Sequence, residues 1–200
     1  MDARVTELHC IMPIGNVPSV LEHGILSHAR ASRLRHHSVA MQPVQDRRDA
    51  RSVPQGLKLH QYANLYFQAR NPMLFKRKDE VSTLCVLRVS TLIFDVPGTV
   101  ISDCNASSDY ARFLAPSQSS LLNFDDIYAT DWRHQGNAPR FFQHKSRKCA
   151  EVLVPERIDP KFLIGAHVAD QDVADVLAGL GFALPITIDP ILFSPAIAGE

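Results

Sequence analysis

Two hundred residues, 46% of them apolar, suit one domain with a sizeable core, so a single unit over residues 1 to 200 is expected. The 21 basic and 21 acidic side chains cancel, which excludes a uniformly cationic surface and requires any polyanion to be held at one local site. Cys10, Cys85, Cys104 and Cys149 are widely spaced, without a CxxC pair or a Cys/His cluster at zinc-ligand spacing, so reduced thiols in a cytoplasmic protein are expected, with no metal.

The opening MDARVTELHC lacks the basic-then-apolar order of a secretory leader, and no run approaches the roughly 20 apolar residues of a membrane helix. Residues 4 to 11 alternate as a first strand, and NVPSVLEHG predicts a short helix with Asn16 as N-cap and Gly24 as terminator. Residues 28 to 51 are the strongly cationic stretch: a long loop, then a helix in PVQDRRDAR started by Pro43. NLYFQA predicts a strand ending before Arg70, PMLFKRK a helix from Pro72, and residues 82 to 90 and 99 to 103 two further strands. Residues 104 to 147 read as polar loop, with Asn105, Trp132 and the basic aromatic stretch RFFQHKSRK. A strand from Cys149 to Val154, another over 162 to 169, a helix capped by Asp170 and a last short strand in ALPITIDP complete a mixed α/β pattern around a bent sheet.

Glu151 interrupts an otherwise apolar strand. A buried carboxylate needs a partner, because a lone charge there costs several kcal/mol. Arg147 and Lys148 are the neighbours that would make it structural. No GxGxxG, P-loop, GxSxG or HExxH occurs, which removes the common dinucleotide, phosphoryl-transfer, hydrolase and zincin routes. His9, QDRRDAR and LYFQARNPMLF each also fit an ordinary structural role. RFFQHKSRK combines phosphate-binding charge with rings on which unstacked bases can lie.

In order, the strand-borne His9, NVPSVLEHGIL, SVAMQPVQDRRDARSVP, LHQYANLYFQARNPMLF, SDCNASSDYARF, DW and KCAEVLV resemble the DarT family of DNA ADP-ribosyltransferase toxins, over roughly residues 5 to 170. The resemblance implies an α/β (α+β) ADP-ribosyltransferase-like fold, a bent mixed β-core flanked by short helices. It implies NAD as substrate, a base in single-stranded DNA as acceptor, and a cognate antitoxin with ADP-ribosylglycohydrolase activity. Glu151 and Arg48 match the catalytic pair. His9, Asn16, Tyr66 and Arg70, with Phe67, Pro72 and Met73 beside them, fall on the NAD-binding motifs. Asn105, Trp132, Arg140, Lys145, Arg147 and Lys148 are expected to face DNA.

Two departures bear on the acceptor: Asn105 stands where the thymidine-modifying branch has a histidine, and ARNPM replaces its usual PRSPM. Asparagine cannot shuttle a proton near neutrality, so of guanine and thymine the sequence favours guanine. The rivals are an NAD-dependent RNA 2′-phosphotransferase, whose reaction does not rely on a glutamate at this strand, and a dead nucleic-acid-binding module, which has no need of Glu151, Arg48 and His9 together.

Overall fold

A computed structural model describes residues 1–39 and 41–194. Ala40, inside the SVAMQPVQDRR motif, lies outside the described residues. The strands are β1 (Glu7–Pro13), β2 (Ile25–Leu26), β3 (Tyr62–Tyr66), β4 (Leu84–Ser90), β5 (Val100–Ser102), β6 (Phe113–Leu114), β7 (Glu151–Pro155), β8 (Arg157–Ile158), β9 (Leu163–Val168) and β10 (Ile186–Ile188). The helices are α1 (Val17–His23), α2 (His28–Ala31), α3 (Gln42–Asp49), α4 (Pro72–Phe75), α5 (Phe124–Tyr128), α6 (Ala138–Arg147), α7 (Gln171–Gly179) and α8 (Pro190–Phe193). Eight strands form one sheet in the order β10-β9-β4-β1-β3-β7-β5-β6, and β2 pairs with β8 apart from it. Only the β10–β9 pairing is parallel among these. Among the described residues no helix is long and apolar enough to cross a membrane.

Side chains of a strand alternate between faces, and here the alternation divides structure from chemistry. Leu8 and Cys10 of β1, Ala63 and Leu65 of β3, and Val152 and Val154 of β7 enter the main core, closed by Val17 and Val20 of α1 and Val173 and Leu177 of α7. The opposite phase carries Glu7, His9, Asn64, Tyr66 and Glu151. The ladder fixes their relation: His9 lies opposite Tyr66, Tyr66 opposite Glu151, and Glu151 opposite Ser102. Cross-strand partners share a face, so these four side chains form one row across β1, β3, β7 and β5.

Several boundaries differ from the sequence expectation. β7 begins at Glu151, not Cys149, and includes Pro155, whose carbonyl side still allows pairing with Tyr62. Residues 104–147 are not loop throughout: RFFQHKSR is helical in α6, entered through Asn137, whose side chain accepts from Arg140 N. Asn16 does not cap α1 with its side chain. Its amide instead donates to His37 O (2.7 Å) and accepts from His37 N (2.9 Å), tying the cationic loop to the start of α1. Gly24 ends α1 as expected, at φ 85, and a Cβ there would lie 2.1 Å from Ile158 O.

Candidate active site

Glu151 is buried at the first position of β7 and faces a cleft of about 390 Å³. Its partner is neither Arg147 nor Lys148. Arg48, at the C-terminal end of α3 and also buried, donates from Nη1 to Oε2 (2.9 Å) and Oε1 (3.2 Å). Oε1 further accepts from Ala106 N at 3.0 Å. Two elements far apart in the chain therefore hold one carboxylate, as burial of a charge requires.

The backbone behind Glu151 is fixed as well. Glu151 N donates to Ser102 Oγ (3.2 Å), which donates in turn to Cys104 O (2.7 Å). Asn105 Oδ1 accepts from Ser107 N (2.9 Å) and Ser107 Oγ (2.8 Å), and Asn105 N donates to Ser146 O (3.0 Å). This side-chain-to-backbone turn shapes the loop that presents Ala106 N to the carboxylate. Asn105 lines the cleft, but with its carbonyl oxygen used only its NH2 group is left for a ligand.

Tyr66 stands beside Glu151 on the same face and lines the cleft. Burial pushes its phenol well above the usual value, and the Glu151 carboxylate pushes it further, so Tyr66 is held as a donor. Met73 closes the wall from α4, positioned by Asn71, whose Oδ1 accepts from Met73 N and Leu74 N. A second hollow of about 190 Å³ continues past Cys10, Ile11 and Gln45 to Asn16, His28 and His37. Together the two hollows exceed 500 Å³, within the ordinary range for small-molecule sites. α3 is pinned from below, where His60 lies 3.0 Å from Gln45 Oε1 and 3.2 Å from Asp49 Oδ1.

The remaining expected residues divide. His9 shares the sheet face, but its Nε2 is 3.1 Å from Glu7 Oε1, and the wall of the cleft on β1 is made by Cys10 and Ile11. Glu7 also receives Arg88 (2.8 Å) and lies 3.3 Å from His167 Nε2. Burial alone would raise the Glu7 carboxyl, but hydrogen bonds from His167, His9 and Arg88 outweigh it and hold the group far below the usual range. Arg70 lines a separate crevice with Trp132 and Phe193, because the chain turns there into α4. Trp132 is buried, edge-on to Phe75 at 6.0 Å, with no face for a base.

Three cations expected on DNA are committed to the protein. Arg140 and Arg147 both bind Asp126, at 2.6 and 2.8 Å. Lys148 is buried and donates to Ile127 O and Ala129 O, each at 2.8 Å. Its desolvation lowers the amine to about 8. Lys145 does line the cleft, its Nζ 5.4 Å over the Phe141 ring.

Sequence reasoning missed Ser102 and the Ala106 N–H; Phe142 falls in the RFFQHKSRK stretch whose rings it had singled out. Ser102 had a signal, a polar residue closing the apolar TVIS strand. A backbone amide has none.

The family model for DarT, described as ssDNA thymidine ADP-ribosyltransferase, matches residues 9–194. The chain belongs to the DarT family. A DNA ADP-ribosyl transferase–DNA ADP-ribosyl glycohydrolase fusion protein of Thermosipho africanus is 33% identical over 211 residues, covering 96% of this chain and 50% of that protein. The chain thus spans about half the length of the curated relative it matches. The Thermosipho africanus DarTG structure in complex with ADP-ribose is 30% identical, with a TM-score of 0.79 over 94% of this chain and 50% of that one. Thermus sp. 2.9 DarT in complex with ADP-ribosylated ssDNA superposes with a TM-score of 0.80 at 23% identity, over 95% of this chain and 97% of that one. The same Thermus protein in complex with NAD+ gives 0.77 at 20%, over 97% and 100%. These DarT structures share the fold described above.

Proposed function

We propose that this chain is an NAD-dependent transferase that moves ADP-ribose from NAD to a base in single-stranded DNA. The observation that carries the reading is the buried Glu151 carboxylate, held by Arg48 and Ala106 N at the wall of a ligand-sized cleft. The chemistry asks for that arrangement. Breaking the bond between ribose C1′ and nicotinamide develops positive charge on the sugar, and a fixed carboxylate stabilises it more than it stabilises the ground state. Nicotinamide leaves with the bonding pair, a base nitrogen attacks C1′, and that nitrogen's proton passes to Glu151. Arg48 orients the carboxylate and the incoming base. Tyr66 donates to the sugar or carboxamide side. Asn16, His9 and Arg70 remain proposed NAD contacts by family motif, His9 and Arg70 only after a shift toward ligand.

We assign the acceptor as guanine. The family description names thymidine, whereas Asn105 here offers only an NH2 group and cannot take up a proton from thymine N3. Lys145 is proposed to meet a phosphate. Fusion of the Thermosipho relative to a glycohydrolase supports a toxin role, with an antitoxin that removes the modification. Four buried, free cysteines fit a cytoplasmic setting.

The test is mass spectrometry of single-stranded oligonucleotides after incubation with NAD. Gain of one ADP-ribose on guanosine-containing strands, absent with Glu151→Ala, is the expected result. Gain on thymidine-only strands overturns the acceptor assignment, and gain on none overturns the activity.

A further inference from the structure

Beside the cleft lies a second groove, of about 560 Å³, between the loop after β5 and the outer face of α6. Its walls carry Tyr110 and Phe142, which are 89% and 64% exposed. They are the two most exposed aromatic rings among the described residues. Large rings on a surface forgo burial, and two on one groove mark a surface that meets something. Phe142 and Ser146 line both this groove and the cleft holding Glu151, so the two spaces adjoin across them.

The local charge admits a polyanion. The carboxylates on this loop are already neutralised, Asp103 by Arg112 (2.6 Å) and Asp109 by Arg51 (3.1 Å). Lys145 lies one helical turn from Phe142 on the cleft side. The loop bearing Tyr110 is also the loop whose Ala106 N binds Glu151, so ring and carboxylate are tied to one segment of chain.

We propose that Tyr110 and Phe142 form a stacking site for the base next to the modified one. The groove selects for unpaired DNA, because a base can enter between the rings only when it is unstacked from its own neighbours. The inference rests on the transferase reading and adds its DNA-specificity determinant. Reading by ring stacking tolerates any base but rejects a missing one.

Kinetics with trinucleotides centred on the acceptor base test it. Replacing the 5′ or the 3′ neighbour by an abasic sugar is expected to lower kcat/KM of the wild-type protein by about 5- to 150-fold on one of the two sides. In Tyr110→Ala that penalty shrinks to about twofold or less, while Tyr110→Trp keeps it, since stacking needs a ring and not the hydroxyl. Tyr110 is so exposed that its truncation leaves the fold intact, which a thermal melt checks. Phe142→Ala is expected to lose the same penalty.

An undiminished abasic penalty in Tyr110→Ala, or no penalty at either neighbour in the wild-type protein, overturns the stacking site. If the wild-type protein labels no oligonucleotide at all, it is the transferase reading that falls.

Discussion

Arg48 uses one nitrogen, Nη1, to span both oxygens of Glu151, leaving Nε and Nη2 for a ligand. Lysine can supply the charge but not the planar set of donors. Arg48→Lys is therefore expected to fold and to lose at least about tenfold in turnover, measured as ADP-ribose transferred per minute. Glu151→Gln keeps the shape and an acceptor for Ala106 N but removes the negative charge. Its transfer rate should fall by about 100-fold or more at saturating NAD, and its melting temperature should fall too, because the buried Arg48 loses its counter-charge. Arg48→Ala behaves differently, because it strands a buried carboxylate; unfolding titrations should show a loss of about 3–5 kcal/mol.

At the level of elements, α6 is the instructive case. Asp126 on α5 receives Arg140 and Arg147, and both guanidinium groups are about a third exposed. Opposing arginines raise no uniform cationic face here; they dock one helix on another. Asp126→Ala should cost about 1–3 kcal/mol in denaturant unfolding and loosen the helix that carries Phe142 and Lys145. The sequence did not disclose this, since the aspartate lies 14 and 21 residues upstream of its partners.

The helix over RFFQHKSR had local signals that the polar-loop expectation passed over, Asn137 as N-cap and Pro139 in its first turn. The strands were legible because their patterns are local: ELHCIMP alternates, and the apolar run of LCVLRVS reflects a strand buried on both faces, Cys85 and Leu87 in the main core and Leu84 and Val86 in a second cluster. Glu151 and Arg48 were legible through the order of motifs. The loop amide that completes their arrangement is set by Asn105 and Ser107 folding back on each other, a geometry that no residue type announces.

Across the whole molecule, acid should undo the fold through its paired carboxylates. Burial of Glu7 works against its ionisation, but hydrogen bonds from His167, His9 and Arg88 prevail and place its folded value far below the ordinary 4.5. For Asp126 burial again raises and the two arginines lower more, so its folded value also lies below the ordinary 3.8. A group depressed in this way contributes stability that is complete above its unfolded value and fades as pH falls through the folded one. The contribution of these carboxylates to the unfolding free energy should be complete above about pH 5 and decline below it. Glu7→Gln should flatten that decline, read by denaturant titration between pH 3 and 7.

Arg48 and Glu151 are 103 residues apart, and β7 must slot between β3 and β5 before they meet. On a ribosome, the pair cannot form until β7 has emerged. A growing polypeptide with only its first hundred residues emerged has Arg48 but not Glu151. For the transferase proposed above, the strand order holds back reaction until residue 151 has been added and folded into the sheet.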